Sequence, residues 1–139
     1  DIATKLGSNL VIRLGSEEAA DQIAHLSGYD GAQCIFECVG TAETMKFASN
    51  YVMRGGQIIV IGEEPEYPQI DTIQIAQREL EIIGSRNGSR QDAVDSIKMM
   101  AEGIIVPPIV CRFPLVQINE AFDFVRSGQA HGRVIITIG

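Results

Sequence analysis

Apolar residues in this chain fall into two patterns, and many of the handovers between them occur at a glycine. Short unbroken apolar runs predict buried strands, whereas apolar positions recurring every three or four residues predict amphipathic helices. Ala20, Ile23 and Ala24 share one helical face, with Ser16 as the expected N-cap and Gly28 as the stop. A strand is predicted over 33–39, then a helix capped by Thr41 that runs through Met45, Ala48 and Val52 and stops before Gly55-Gly56. The run 58–61 is apolar on both faces, as expected of a central strand in a parallel sheet covered by helices on both sides. Beyond the 65–68 loop, a helical turn at 73–77 leads into a strand at 80–83 that ends on Gly84. The clearest helix is capped by Ser89, places Ala93, Val94, Ile97, Met100 and Ala101 on one face, and closes at Gly103. A strand over 109–113 follows, then a helix with Ile118, Ala121, Phe122 and Val125 on one face and Gly128 beyond its end, and a last strand over 134–138. Strand and helix alternate with connections of ordinary length, so the predicted class is α/β with a mostly parallel sheet.

Size and charge narrow the picture. A chain of 139 residues, 45% of them hydrophobic, suits one compact domain or part of one. Its 11 basic and 18 acidic residues give a net charge of −7 with no Lys/Arg cluster, which argues against a nucleic-acid face or an anionic membrane surface. No apolar run approaches the roughly 20 residues of a membrane span. Three cysteines, Cys34, Cys38 and Cys111, favour reduced thiols over a disulfide framework, so a cytoplasmic setting is expected.

The candidate chemistry lies at strand ends. Gly40, Gly62 and Gly84 each close a predicted strand, and on neighbouring parallel strands they would line one edge of the sheet, where ligands of open α/β folds bind. Glu37 is a carboxylate in an otherwise apolar strand, so it has either a partner or a raised pKa; a structural, hydrogen-bonded role is the favoured reading. Cys34 and Cys38, four apart on a strand, lie about 13 Å from each other, too far to share a zinc whose ligands sit at about 2.3 Å. His25 and His131 have no second ligand at metal spacing and read as ordinary histidines.

Several stretches in a fixed order resemble the carboxyl-terminal part of a medium-chain dehydrogenase/reductase of the zinc-type alcohol and polyol dehydrogenases. They are Ala3-Thr4-Lys5-Leu6-Gly7-Ser8-Asn9, Phe36-Glu37-Cys38-Val39-Gly40, Gly55-Gly56 through Val60-Ile61-Gly62, Arg78-Glu79-Leu80-Glu81-Ile82-Ile83-Gly84-Ser85, Phe113-Pro114-Leu115, Asn119-Glu120-Ala121-Phe122 and Gly132-Arg133-Val134-Ile135-Ile136. The resemblance implies part of a Rossmann-type doubly wound parallel sheet lacking its first strands. It implies the cofactor-binding domain over 1–86 and, over 87–139, terminal elements that partly return to a catalytic domain. Cys38, Val39 and Thr41 then match the wall of the adenosine half of NAD or NADP, with Gly40 allowing close backbone approach. Ile61, Gly62 and Glu63 match the tip under the nicotinamide ribose and ring, Ser85, Arg86 and Asn87 the tip that completes that hold, and Arg133 an arginine on the pyrophosphate.

The same resemblance puts the glycine-rich phosphate turn, the residue choosing between NAD and NADP, and the zinc ligands upstream of Asp1, which itself aligns within a helix. The segment 10–14 would be a strand deprived of its neighbour, and the edge of 33–39 would be unpaired. A portion of a longer enzyme is therefore expected, acting on a small alcohol or carbonyl substrate with zinc in the intact enzyme, assembled as a homo-oligomer. No residue here takes a catalytic or metal role. A zinc-free quinone or enoyl reductase of the same superfamily, and a noncatalytic nucleotide-binding or oligomerisation module, stay open as alternatives.

Overall fold

The computed structural model describes residues 2–16, 18–28 and 30–139, so Asp1 and its expected helical setting lie outside the described residues. Two compact units divide the chain, one over Ala3–Asn87 and the other containing Gly88–Gly139.

In the first unit the helices after the short turn α1 (Ile2–Lys5) are α2 (Ala19–Ser27), α3 (Ala42–Tyr51) and α4 (Thr72–Arg78), and the strands are β1 (Ala32–Glu37), β2 (Val52–Val60) and β3 (Glu81–Gly84). The strands form a parallel sheet in the order β1-β2-β3, with α3 and α4 as the crossovers that parallel neighbours require. Ile58 pairs with Ile35 on one side and Ile82 on the other, which makes β2 the central strand the sequence pattern predicts. Ala48, Val52, Ile58 and Leu80 form the buried core, with Ile35, Val60, Ile75 and Ile82 packed against it.

Local chemistry explains most element ends. Thr41 caps α3 through a reciprocal box with Thr44, each residue's hydroxyl accepting from the other's N–H. Asp71, which sequence reading passed over, caps α4 by accepting from the Ile73 and Gln74 N–H groups. Gly28 ends α2 in the left-handed region at φ 68°. Arg78 reaches back from α4 to the carboxyl end of α3, donating to Ser49 O at 2.7 Å and also to Val52 O. The Ser49 carbonyl lies in the last turn of α3, where intrahelical donors run out.

Several expectations are revised. Ser16 is not the cap of α2: the helix begins at Ala19 behind Glu18, and Ser16 contributes only its carbonyl, to the Ala19 N–H. Val52 leaves the helix and opens β2, because the strand extends back through Gly55-Gly56 with a register shift opposite Ala32 and Cys34. Residues 10–14, the anticipated strand, have no strand assignment, since an extended segment needs a ladder partner to become one. β1 is an edge strand, pairing only with β2 among the described residues.

In the second unit, β4 (Ile109–Pro114) and β5 (Arg133–Thr137) form their own two-stranded parallel sheet instead of extending the first. Here α6 (Ile118–Arg126) is the crossover, with Ala121 buried and Phe124 against Phe113 at 6.2 Å between ring centroids. α5 (Arg90–Ala101) is capped by Ser89 as expected, in a box whose other half is the Asp92 carboxylate. Its apolar face is not buried: Val94 is 52% and Ile97 63% exposed. Periodicity marks a face that wants a partner; it does not say that the partner lies in the same unit.

Replacing Ile58, 0% exposed, by alanine should therefore lower stability by about 2–5 kcal/mol. Val94→Ala on the exposed face of α5 should stay within about 0.5 kcal/mol, and urea unfolding of the two variants checks the contrast.

Candidate functional site

The tips of β1 and β2 meet at Glu37. Its carbonyl accepts two amides of the neighbouring tip, Ile61 N–H at 2.8 Å and Gly62 N–H at 3.0 Å. Its side chain folds back to its own tip, where Oε1 accepts from Val39 N–H and Gly40 N–H, both at 2.9 Å. The residue is 4% exposed, and Oε2 is buried with no hydrogen-bond partner. Burial alone would raise this carboxyl's pKa, but the Gly40 and Val39 N–H groups, helped by the Thr44 hydroxyl, hold it below its ordinary value. The favoured structural reading of Glu37 is what the geometry shows.

This clamp explains two glycines. Gly40 has φ 94°, and a Cβ there would lie 2.8 Å from Gly62 C and O and from Glu64 N. A Cβ on Gly62 would lie 2.1 Å from Val39 C and 2.3 Å from Gly40 N, inside any possible contact. The bare backbone of each tip is thus used first by the other tip. Gly84 differs, having open space where its Cβ would be.

The remaining predicted residues divide between the two units. Ile61 and Val39 are exposed apolar positions beside the clamp. Cys38 is exposed, with Sγ 3.7 Å from Phe36 O. Thr41 spends its hydroxyl on the α3 cap. Glu63, after β2, and Arg86, after β3, form an exposed ion pair at 3.0 Å, and the Ser85 N–H donates to Val60 O at 2.9 Å. Asn87 takes φ 56°, a left-handed conformation that asparagine tolerates better than most residues. The structure therefore brings Val39, Gly40, Ile61, Gly62, Glu63, Ser85 and Arg86 to the carboxyl ends of adjacent strands. Arg133 belongs to the second unit, where it opens β5 and its N–H donates to Pro108 O at 2.6 Å.

Sequence reading missed Glu66, whose carboxylate accepts the Ala42 N–H at 2.7 Å across the mouth of α3. It lies 24 residues away, and its only signal was an acidic loop. Open clefts of about 630 Å³, beside Lys46 and Gln74, and about 580 Å³, beside Ile35 and Phe47, are lined by none of the predicted residues. No group of three or more His, Cys, Asp or Glu residues among those described could hold a metal ion.

Comparison with known proteins bears on the family and the fold. A family profile described as zinc-binding dehydrogenase matches residues 1–102. The chain is 30% identical over 138 residues to an alcohol dehydrogenase of Geobacillus stearothermophilus, covering 99% of this chain and 40% of that protein. It is 31% identical to a D-arabinose 1-dehydrogenase (NADP(+)) of Saccharolobus solfataricus, covering 99% of this chain and 38% of that protein. It thus spans about two fifths of these curated relatives. In fold, it superposes on the alcohol dehydrogenase of Aeropyrum pernix with a TM-score of 0.82 at 20% identity, covering 96% of this chain and 38% of that one.

Gly62→Ala should disrupt the paired tips and destabilise far more than Gly84→Ala, a difference that parallel thermal melts would read. Because the folded pKa of Glu37 is depressed from 4.5, its stabilisation is fully present above the unfolded-state pKa and is lost as pH falls through the lower folded value. Glu37→Gln should flatten the acid limb of the stability curve, which denaturation midpoints at a series of pH values below 5 or so would reveal.

Proposed function

Because the chain belongs to the zinc-binding dehydrogenase family, we propose that it is the cofactor-binding portion of an NAD(P)-dependent alcohol or polyol dehydrogenase. The observation that carries this reading is the row of tips at the carboxyl ends of β1, β2 and β3, the edge on which open α/β sheets receive nucleotides.

The tips suit the nicotinamide and adenosine ends of such a cofactor more than its phosphates. The N–H groups of Val39, Gly40, Ile61, Gly62 and Ser85 are already bonded within the unit, so these positions offer a ligand carbonyl oxygen and apolar surface. A carboxamide can donate to such oxygens, and a flat ring can lie on Val39 or Ile61. Cys38, Gly40 and Thr41 continue that wall, while Glu63, Arg86 and Asn87 frame the neighbouring tip. Arg133 supplies the guanidinium for pyrophosphate. The bound cofactor would accept or return hydride at its nicotinamide ring; these residues bind and orient it. The domain division proposed is a cofactor-binding part over 1–86 and terminal elements over 87–139.

No cluster among the described residues fits a resident zinc. In keeping with the family, the intact enzyme is read as a cytoplasmic homo-oligomer acting on a small alcohol or carbonyl compound. No helix among the described residues is long and apolar enough to cross a membrane.

Titration of the intact enzyme with NADH and NADPH, followed by nicotinamide fluorescence, should show saturable binding of at least one. Absence of both would sink the reading. Arg133→Ala should weaken that binding by about 1.5–3 kcal/mol, the value of a charge-assisted hydrogen bond; unchanged affinity returns Arg133 to an ordinary surface role. The 139 residues alone, with the outer edge of β1 unpaired, should bind weakly or not at all.

A further inference from the structure

We infer that Glu37 is a positioning residue for dinucleotide binding, the residue whose bonds to both tips hold the ends of β1 and β2 in register with each other. The inference rests on the cofactor reading above and adds a residue to it that touches no ligand.

Glu37 is bonded in two directions at once. Its main-chain carbonyl takes the Ile61 and Gly62 amides, and its carboxylate takes the Val39 and Gly40 amides. Four N–H groups on two separate loops converge on one residue, 4% exposed, at the end of β1. The glycines between the tips leave no side chain that could hold them apart or together, since a Cβ at Gly62 would overlap the Val39–Gly40 peptide. Spacing between the loops is therefore set by hydrogen bonds, two of which end on the Glu37 carbonyl, while two more fix the β1 tip on its carboxylate. Glu64 N–H to Val39 O, at 3.3 Å, is the longer bond between the same loops.

A ligand lying on Val39 and Ile61 needs both tips in place together, so loosening one should be felt at the other. The side chain bonds only the β1 tip directly. A substitution confined to that side chain should nonetheless loosen Ile61 and Gly62, because the carbonyl they use belongs to the residue whose side chain fixes the turn.

The test compares Glu37→Met, which removes the acceptor at similar length, with Glu37→Gln, which keeps a neutral acceptor, in the intact enzyme. Ile58→Val serves as a control that thins the core without touching the tips. Hydrogen exchange read by mass spectrometry follows peptides covering 37–42 and 59–64, and NADH and NADPH titrations read affinity. Glu37→Met should speed exchange in both peptides and raise Kd about tenfold, the loss of roughly one well-made hydrogen bond to a charged group. Glu37→Gln should recover most of that loss, with Kd raised about threefold, because a neutral acceptor is weaker than an ionised one. Ile58→Val should leave Kd unchanged.

Glu37→Met binding cofactor as tightly as Ile58→Val would overturn the inference, as would faster exchange confined to 37–42. Should Glu37→Met not fold, Glu37→Gln decides: unchanged exchange and unchanged Kd overturn the role, and a shift in both supports it. If the unsubstituted enzyme binds neither NADH nor NADPH, the cofactor reading fails by itself. Exchange still judges the clamp in that event, since coupled loosening of the two peptides supports it and its absence refutes it.

Discussion

Withdrawing a carboxylate from water costs several kcal/mol unless its oxygens are bonded, and the end of β1 is organised around meeting that cost. Glu37 meets part of it at one oxygen, Oε1, with two main-chain amides close after it, which turns the chain back at Val39 and Gly40, while Oε2 stays buried without a partner. Its charge stays below the ordinary pKa despite burial because those amides point at it. The turn cannot relax into another shape without leaving a buried charge unsolvated, and that is a stronger constraint than glycine flexibility by itself.

From that turn the rest of the sheet edge follows. Gly40 is driven to φ 94°, its backbone is pressed on Gly62, and the β2 tip is drawn in through Ile61 and Gly62 to the Glu37 carbonyl. The β3 tip joins by different means, through the Ser85 amide on Val60 and the Glu63–Arg86 pair. Three strands that end in glycine are therefore not three copies of one device. Gly40 and Gly62 are required by contact with each other, whereas Gly84 has open space beside it.

That distinction marks how far the sequence could be read. Local signals were legible: Thr41 and Ser89 cap helices as their positions suggest, Gly28 stops one, and the apolar run around Ile58 is the central strand. The order of motifs carried the family as well. What it could not carry was the partner of each face or group. The stripe on α5 at Val94 and Ile97 is sound amphipathic pattern and yet is exposed, and β4 pairs with β5 instead of joining the first sheet. Likewise Glu37 was visible as a carboxylate needing a partner, but its partners are backbone amides, which every residue possesses and no side-chain pattern announces. Asp71 and Glu66 act in the same way, on amides of α4 and α3.

The same commitment of amides bears on what the edge can recognise. A phosphate is best gripped by free N–H groups or by cations, and at these tips the amides of Val39, Gly40, Ile61, Gly62 and Ser85 are already in use. With a net charge of −7 the chain has no general attraction for anions, so phosphate contact must come from particular arginines. Arg86 forms an exposed pair with Glu63, worth about 0–1 kcal/mol, so an anionic ligand breaking that pair would forfeit little. Carbonyl oxygens and apolar faces are what remain at these tips for a ligand. The edge is thus selective by subtraction: by spending its amides on its own shape, it is left poorly equipped for phosphate and better suited to uncharged groups.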